Sequence, residues 1–543
     1  MIRDREADRA TLKAVHSLAQ SRNFAKAAEL ANRALAGGLE HPLLYNVAAV
    51  KLEHDGRLPE AASLLSRAVE RDPNDVGIRN ALGLCLYRLD RPAEAVEHFR
   101  TLIGLDPARA VAHANLGMAL LALGVLPAAE ASYRRALELD PNQIVAMVGL
   151  ASIASRRGVH RDARAWSEKV LALAPNHPDA VMSLAAAELA EGAPAQAEAR
   201  VRALIVENAL VPVDRAYAYG LLGDALDAED RATEAFAAYL ECNDELRRHY
   251  AGRFGDAPSA LDYARALAAY TERARAEDWR PRPSLGAHSS GAQGHVFLLG
   301  FPRSGTTLLE VILEGHPSVV SLEENESLID GVRAFMRTPD DLERLARATS
   351  GELQPLRAAY WQQVTDAGVS VAGKVFVDKY PLNTLKLPLI ARLFPDARIL
   401  MARRDPRDVV LSCFRRRFRM SAPMYELLSL ESAARYYDAV MRLAERLDGL
   451  LTLSSRVVRH ETLVTDFENE IRSICAFLGL EWAATMQDFA PRTEQRGSVT
   501  PSTAQLARGL EKSGIGQWRR YEAQLAAVLP LLDPWVQRFG YGS

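Results

Sequence analysis

Cysteine is scarce: four residues (Cys85, Cys242, Cys413 and Cys475) in 543, with neither metal-ligand spacing nor a close pair. That excludes a disulfide-built secreted scaffold and points to a reducing compartment. Long apolar runs are missing too; no stretch of 18 uncharged apolar residues occurs, so no membrane span is predicted. The first residues, MIRDREADRATLK, have no apolar h-region and do not read as a signal peptide. Charge of one sign is not in excess, with 66 basic and 69 acidic residues and a net charge of -3, which argues against bulk attraction to nucleic acid. No long low-complexity tract is present. A soluble, cytoplasmic protein is expected, and its length exceeds one ordinary core, so two or more domains are predicted.

What the first half does have is a ruler. Pro73, Pro107, Pro141 and Pro175 lie 34 residues apart, and Leu82, Leu116, Leu150 and Leu184 keep the same interval. Each leucine is followed by a small residue, Gly83, Gly117, Ala151 or Ala185. A third series runs Ala27, Ala61, Ala95, Ala129, Ala163, Ala197. Leu222-Gly223 and Ala235 resume the pattern after a shift of four residues, which places an insertion near 205–216. Each unit reads as two helices, the small residues allowing close approach and the proline marking the boundary between units. A heptad does not generate three series of this period. The pattern resembles the tetratricopeptide repeat over about residues 10–250. Such arrays present a concave face, by default to a peptide or partner protein. A purely structural or self-associating role is the alternative. Residues 258–279 read as one more helix, and RPRPSLGAHSSGAQG (280–294) as a linker.

The second half opens with a phosphate loop that lacks its lysine. In VFLLGFPRSGTTL (296–308), Gly300 and Gly305 keep Walker A glycine spacing and Thr307 keeps the hydroxyl. Thr306 stands where lysine would be, and Arg303 lies inside the loop. The apolar run before the loop predicts a strand and the periodic run after it a helix, so backbone N–H groups and a helix N-terminus can bind a phosphate without lysine. Further strands are predicted at 374–379, 397–403 and 456–461, separated by helical segments. Together they imply α/β layers around a mainly parallel sheet. A second signal, RRDPRDVVLSCF (403–414), again follows a strand, with Arg404 and Ser412 able to address one phosphate. A capped helix beside a solvated arginine cluster is the alternative. FRRRFR (414–419) reads as a solvated helix face, and RHETLVTDFENEIRSICAFLGL (459–480) as scaffold.

The two motifs together, GFPRSGTT and RDPRDVVLS, resemble the cofactor motifs of the sulfotransferase superfamily, over about 295–543. The similarity leans toward the tyrosylprotein sulfotransferase branch and toward bacterial proteins that fuse tetratricopeptide repeats to such a domain. This resemblance implies 3′-phosphoadenosine-5′-phosphosulfate (PAPS) as co-substrate and no metal. It implies that Gly300, Phe301, Pro302, Arg303, Ser304, Gly305, Thr306 and Thr307 bind the 5′-phosphosulfate, and that Arg404 and Ser412 bind the 3′-phosphate. By the same resemblance Glu324 of SLEENES is the base, with Glu323 its close competitor and a solvated acidic turn the alternative. Lys379 matches a lysine that contacts the transferring group, and Arg303 would neutralise the leaving phosphate. Thr503 falls where a serine approaches the 3′-phosphate. Gln517 departs from the pattern, standing where a basic residue is expected, with Arg508 or Lys512 as substitutes.

The resulting expectation is a repeat solenoid (1–255), a connecting helix and linker (256–294) and an α/β sulfotransferase domain (295–543). The acceptor is a hydroxyl, with protein tyrosine and a glycan both open, and the repeats recruit it or a partner. Nucleic acid and membrane are not expected as partners. Two other functions are weighed: a repeat scaffold with an inactive nucleotide-binding domain, and a P-loop kinase or NTPase, against which the missing lysine counts.

Overall fold

The computed structural model describes residues 5–207, 210–255, 258–280, 291–489, 510 and 512–542. Two compact units emerge: residues 1–155 with 159–187, and residues 188–543 with 156–158. None of the helices among the described residues is long and apolar enough to cross a membrane.

The first unit is built of antiparallel helix pairs such as Val76–Arg88 with Pro92–Leu105 and Ala110–Ala122 with Leu126–Leu139. The periodic prolines fall in the short connections between pairs, where one helix has ended and an N–H is dispensable. The ruler has a second graduation that the sequence reading passed over. Arg22, Gly56, Asp90, Gly124, Gly158 and Gly192 all adopt positive φ (58° to 81°), one per unit at the same turn inside the pair. Asp230 (φ 64°) continues the series after the four-residue insertion. The small residue after each periodic leucine has a steric reason. A Cβ on Gly83 would lie 2.6 Å from the Phe99 ring, and one on Gly117 would lie 2.7 Å from the Tyr133 ring. Glycine on one helix therefore makes the hole that an aromatic ring of its partner fills. Where alanine replaces it at Ala151, the facing position holds Ser167, fully buried in place of the ring.

In the second unit the last repeat pair, Pro212–Ala228 and Ala232–Phe254, is followed by the helix Ala260–Arg273. Ser259 and Asp262 cap that helix reciprocally. A linker had been read at 280–294; most of it, residues 281–290, lies outside the described residues. Then comes a five-stranded sheet: β1 (Gly294–Gly300), β2 (Val319–Glu323), β3 (Val375–Lys379), β4 (Arg398–Arg403) and β5 (Ser454–Arg459), in the order β2-β3-β1-β4-β5. All four pairings are parallel. β2 is the strand that pattern reading missed, because VVSLE is short and sits at the sheet edge.

Strand alternation decides which face each side chain serves. Val296, Leu298, Val375, Val377 and Leu400 pack with the helices Thr306–Glu314 and Phe467–Leu478 on one face. Phe297, Leu299, Phe376 and Ile399 pack on the other with the long helix Leu430–Leu450. Both faces are covered, as a parallel sheet requires. The carboxyl edge of the central strands is left for loops, where an open α/β sheet binds its ligands.

Packing around the repeat glycines yields a paired test. Gly104 lies in a helix with nothing within 4 Å of an added Cβ. Gly104→Ala is expected to stabilise by about 0.5–1 kcal/mol, whereas Gly117→Ala is expected to destabilise by about 1–2 kcal/mol through overpacking of Tyr133. Denaturant unfolding followed by helical circular dichroism measures both.

Candidate active site

The central strand β1 delivers its chain directly into the glycine loop. A Cβ on Gly300 would lie 2.7 Å from the carbonyl oxygen of Ala402 on β4, so only glycine lets the chain turn away from its neighbour there. Arg303 (φ 71°) and Gly305 (φ 96°) then adopt left-handed backbone. Gly305 is the N-cap of the helix Thr306–Glu314 and supplies no side-chain cap. The first amides of that helix are therefore available to an anion, and Thr306 and Thr307 line the adjoining cleft. Phe301 contributes backbone only, since its ring is buried edge-on against Tyr436 and Tyr437 (5.7 and 5.0 Å).

Arg404 leaves the end of β4 and Ser412 lies in the helix Pro406–Phe414, and both meet the loop. Arg404 Nη1 donates to the Arg303 carbonyl oxygen (3.2 Å), and its Nη2 donates to the Gly514 carbonyl. Arg303 Nε donates to Ser412 Oγ (3.0 Å). Burial, then Arg416 and Arg404, push the Arg303 guanidinium down to about 9. Arg404 Nε is enclosed with no hydrogen-bond partner among the described residues. His460 also lines the cleft, although its segment was read as scaffold. Its enclosed Nδ1 has no partner among the described residues, and burial, then Arg404 and Arg303, lower its pKa to about 3. A neutral imidazole beside clustered guanidiniums avoids adding another positive charge.

FRRRFR does not form the solvated helix face expected of it. The helix ends at Phe414, and the arginines that follow are drawn inward. Arg415 pairs with Asp227 and Arg417 with Asp224 (2.6 Å), both aspartates standing on the last repeat pair. Arg415 and Arg416 line the cleft. Burial lowers the pKa of Arg416, which forms no ion pair among the described residues. The signal for Arg416 was its place four residues beyond Ser412, just past the end of the same helix.

The opposite wall is acidic. β2 ends at Glu323, and Glu324 turns into left-handed backbone (φ 43°), held by its N–H donating to the Lys379 carbonyl (2.8 Å). That turn separates the two candidate bases. Glu324 lines the cleft with 44% of its side chain exposed, whereas the Glu323 side chain is 19% exposed and faces inward to Lys379. Lys379 takes a place that the sequence did not reveal. Its side chain is fully enclosed, and Nζ contacts Glu324 Oε1 (2.9 Å), Glu323 Oε1 (3.2 Å) and Glu310 Oε2 (3.3 Å). Burial opposes its charge, but the three carboxylates more than reverse this and hold the ammonium well above the usual lysine range. Glu310, the third of them, projects from the phosphate-loop helix. Asp378, one residue before Lys379, faces the other side of the sheet and accepts from Tyr360 Oη (2.7 Å).

Thr503 and Arg508 lie outside the described residues. Lys512 is exposed and does not line the cleft. Gln517 does line it: Oε1 accepts from Arg415 Nη1 (3.2 Å) and Nε2 donates to the Ser513 carbonyl (2.8 Å). Charge lacking at position 517 is thus supplied beside it by Arg415.

Residues 295–484 match the sulfotransferase family, and residues 12–76 and 79–144 match the tetratricopeptide repeat. An uncharacterized protein of Aquifex aeolicus is 25% identical over 45% of this chain and 34% of its own length. The chain thus spans about a third of that relative. Protein-tyrosine sulfotransferase 2 of Gallus gallus is 24% identical over 45% of this chain and 69% of its own length. Among solved structures, a tetratricopeptide repeat protein from Parabacteroides merdae covers 44% of this chain at 17% identity, with a TM-score of 0.37.

Asp378 provides a pH test of the buried polar network behind the site. Burial pushes its carboxyl up to about 7, against the Tyr360 hydrogen bond. An unfolded aspartate releases its proton near about 3.9, so the folded state loses stability as pH rises through that interval. Asp378→Asn is therefore expected to raise the urea midpoint relative to wild type at pH 8 and to lose most of that advantage at pH 5. An equal difference at both pH values would show that Asp378 does not titrate there.

Proposed function

We propose that this chain, in which tetratricopeptide repeats precede a sulfotransferase-family domain, moves a sulfuryl group from PAPS to an acceptor hydroxyl. The observation that carries the reading is one cleft lined by the phosphate loop, Arg404, Ser412 and Arg416 together with Glu324. The residues suit a doubly phosphorylated nucleotide. Among the described residues Arg404 Nε is enclosed without a partner, Arg416 has no ion pair, and the helix N-terminus has no side-chain cap. The donor supplies a sulfuryl group already joined to a good leaving phosphate.

The chain's own residues then divide the work. Glu324 accepts the proton of the acceptor hydroxyl as its oxygen bonds to sulfur. The loop amides and Arg303 carry the negative charge left on the 5′-phosphate when the old sulfur–oxygen bond breaks. Arg404, Ser412 and Arg416 hold the 3′-phosphate and fix the line of attack, with Arg415 beside Gln517 adding to the field. Lys379 acts through Glu324, orienting the carboxylate from behind. The named activity of the curated relatives favours a tyrosine hydroxyl as acceptor, with the repeats recruiting the peptide that carries it. An inactive scaffold is the second reading, motivated by Gln517.

Calorimetry with 3′-phosphoadenosine-5′-phosphate, without metal, tests the donor site. Binding by wild type is expected to weaken about 10- to 100-fold in Arg404→Ala and in Arg416→Ala, as for the loss of a charged hydrogen bond. No binding by wild type, or preference for ATP with magnesium, overturns the reading. For the base, Glu324→Gln is expected to lower transfer to a tyrosine peptide at least about 100-fold while its nucleotide affinity stays within about twofold. A peptide that wild type does not sulfate, with the nucleotide still bound tightly, would favour the scaffold.

A further inference from the structure

The end of the repeat array is built into the wall of the donor cleft. The helices Pro212–Ala228 and Ala232–Phe254 make a sequence of contacts to Phe414, Arg415 and Arg417, three of the four residues that follow Ser412 and its neighbour Cys413. Asn243 Nδ2 donates to the carbonyl oxygen of Phe414 (2.9 Å), the last residue of the helix that carries Ser412. Phe236 stacks on the Phe414 ring with centroids 5.2 Å apart. Asp227 accepts from Arg415 and from Tyr521 Oη (2.6 Å), and pairs with Arg520 Nη1 (3.1 Å). Asp224 accepts from Arg417 Nη2 (2.6 Å) and from Tyr239 Oη (3.0 Å). Gly220 leaves room for this: a Cβ there would lie 2.6 Å from Arg417 Cδ.

The spacing of these contacts matters. Asp224 and Asp227 are three apart on one helix and so share a face. They take the first and third of three consecutive arginines. Arg416 lies between the two clamped residues, carries no ion pair among the described residues, and lines the cleft. The two flanking ion pairs anchor the side chains on both sides of Arg416, just past the end of the helix that carries Ser412. Arg415 in turn reaches Gln517, whose other end holds the Ser513 carbonyl.

We propose that Asp224 and Asp227 of the last repeat pair are positioning residues of the donor site, setting Arg415 and Arg416 in place for the nucleotide. The inference rests on the reading of the cleft as a donor-nucleotide site. Its consequence is that this repeat pair serves the transfer site directly and does not act only as a place for partners to dock. Asp227 holds its arginine and, through Arg415, the Gln517–Ser513 bridge; Asp224 holds the backbone from the other side.

The test uses the full chain and the affinity for 3′-phosphoadenosine-5′-phosphate. Asp227→Asn and Asp224→Asn are each expected to weaken binding about 3- to 20-fold, the range of coupling between residues in contact. Glu241→Gln removes an equal charge from an exposed site on the same pair and is expected to leave affinity within about twofold. Asp227→Glu should recover part of the loss. In an Arg415→Ala background, Asp227→Asn should add less than about twofold, because its effect passes through that arginine. Losses that simply add in the double variant would overturn the positioning role of Asp227. Wild-type affinity in both asparagine variants would overturn the proposal and leave the donor-site reading standing. Should Asp227→Asn fail to fold, Asp224→Asn, with fewer partners, carries the test. Absence of binding by wild type removes the donor site and this inference together.

Discussion

Gathering positive charge along one partly buried cleft is the constraint around which the sheet domain is arranged. Arg303, Arg404, Arg415 and Arg416 line one cleft, and burial, with repulsion from Arg416 and Arg404 added, brings Arg303 down to about 9. Such a cluster is unfavourable without an anion, and each part of its surroundings limits the penalty or fixes the geometry. His460 remains neutral, Gly305 gives its ring the space it occupies, and the Arg303 and Gly514 carbonyls take the Arg404 protons. A bound polyanion would relieve the repulsion, so the site is preorganised at the expense of stability.

The acidic wall solves the opposite problem. A carboxylate that is to accept a proton must stay within reach of its acceptor and out of reach of the arginines. Lys379 meets this need from beneath: one ammonium draws Glu310, Glu323 and Glu324 to a common point and leaves only Glu324 on the cleft. The register accounts for the arrangement. Glu323 stands opposite Lys379 where β2 pairs with β3, and Lys379 shares its sheet face with Val375 and Val377, hence with the phosphate-loop helix that carries Glu310. Removing Lys379 would leave three carboxylates crowded together, so the lysine affects Glu324 even though it does not reach the cleft.

Much of this could be read in the sequence where chemistry and spacing coincide. The 34-residue series pointed to the solenoid, and strand–loop–helix patterning around 300–307 pointed to the parallel sheet and the glycine loop at its edge. Arg404 and Ser412 were legible because a strand end and a helix turn fix their relation. Lys379 was found but misplaced, because a sequence gives no sign that Glu310, 69 residues earlier, closes over it. β2 escaped because an edge strand of five residues has too short a pattern to separate from a loop. FRRRFR was misread for a different reason. Three adjacent arginines look solvated until their counter-charges are known, and Asp224 and Asp227 lie nearly 200 residues away in a segment that reads as ordinary repeat.

That last misreading bears on how the array ends. A solenoid must cover the apolar face of its final helix pair, and a polar capping helix is the usual means. Here Ala216, Cys242 and Leu246 of the last pair are buried with Leu428, and Tyr219 and Tyr250 pack beside Met420 and Tyr425. Segment 414–428 of the sheet domain thus performs the capping, and the same segment carries Arg415 and Arg416. Covering the repeat and shaping the cleft are therefore one packing problem. A change that loosens the last helix pair should disturb the arginines before it disturbs the sheet, since no strand residue belongs to that cluster among the described residues.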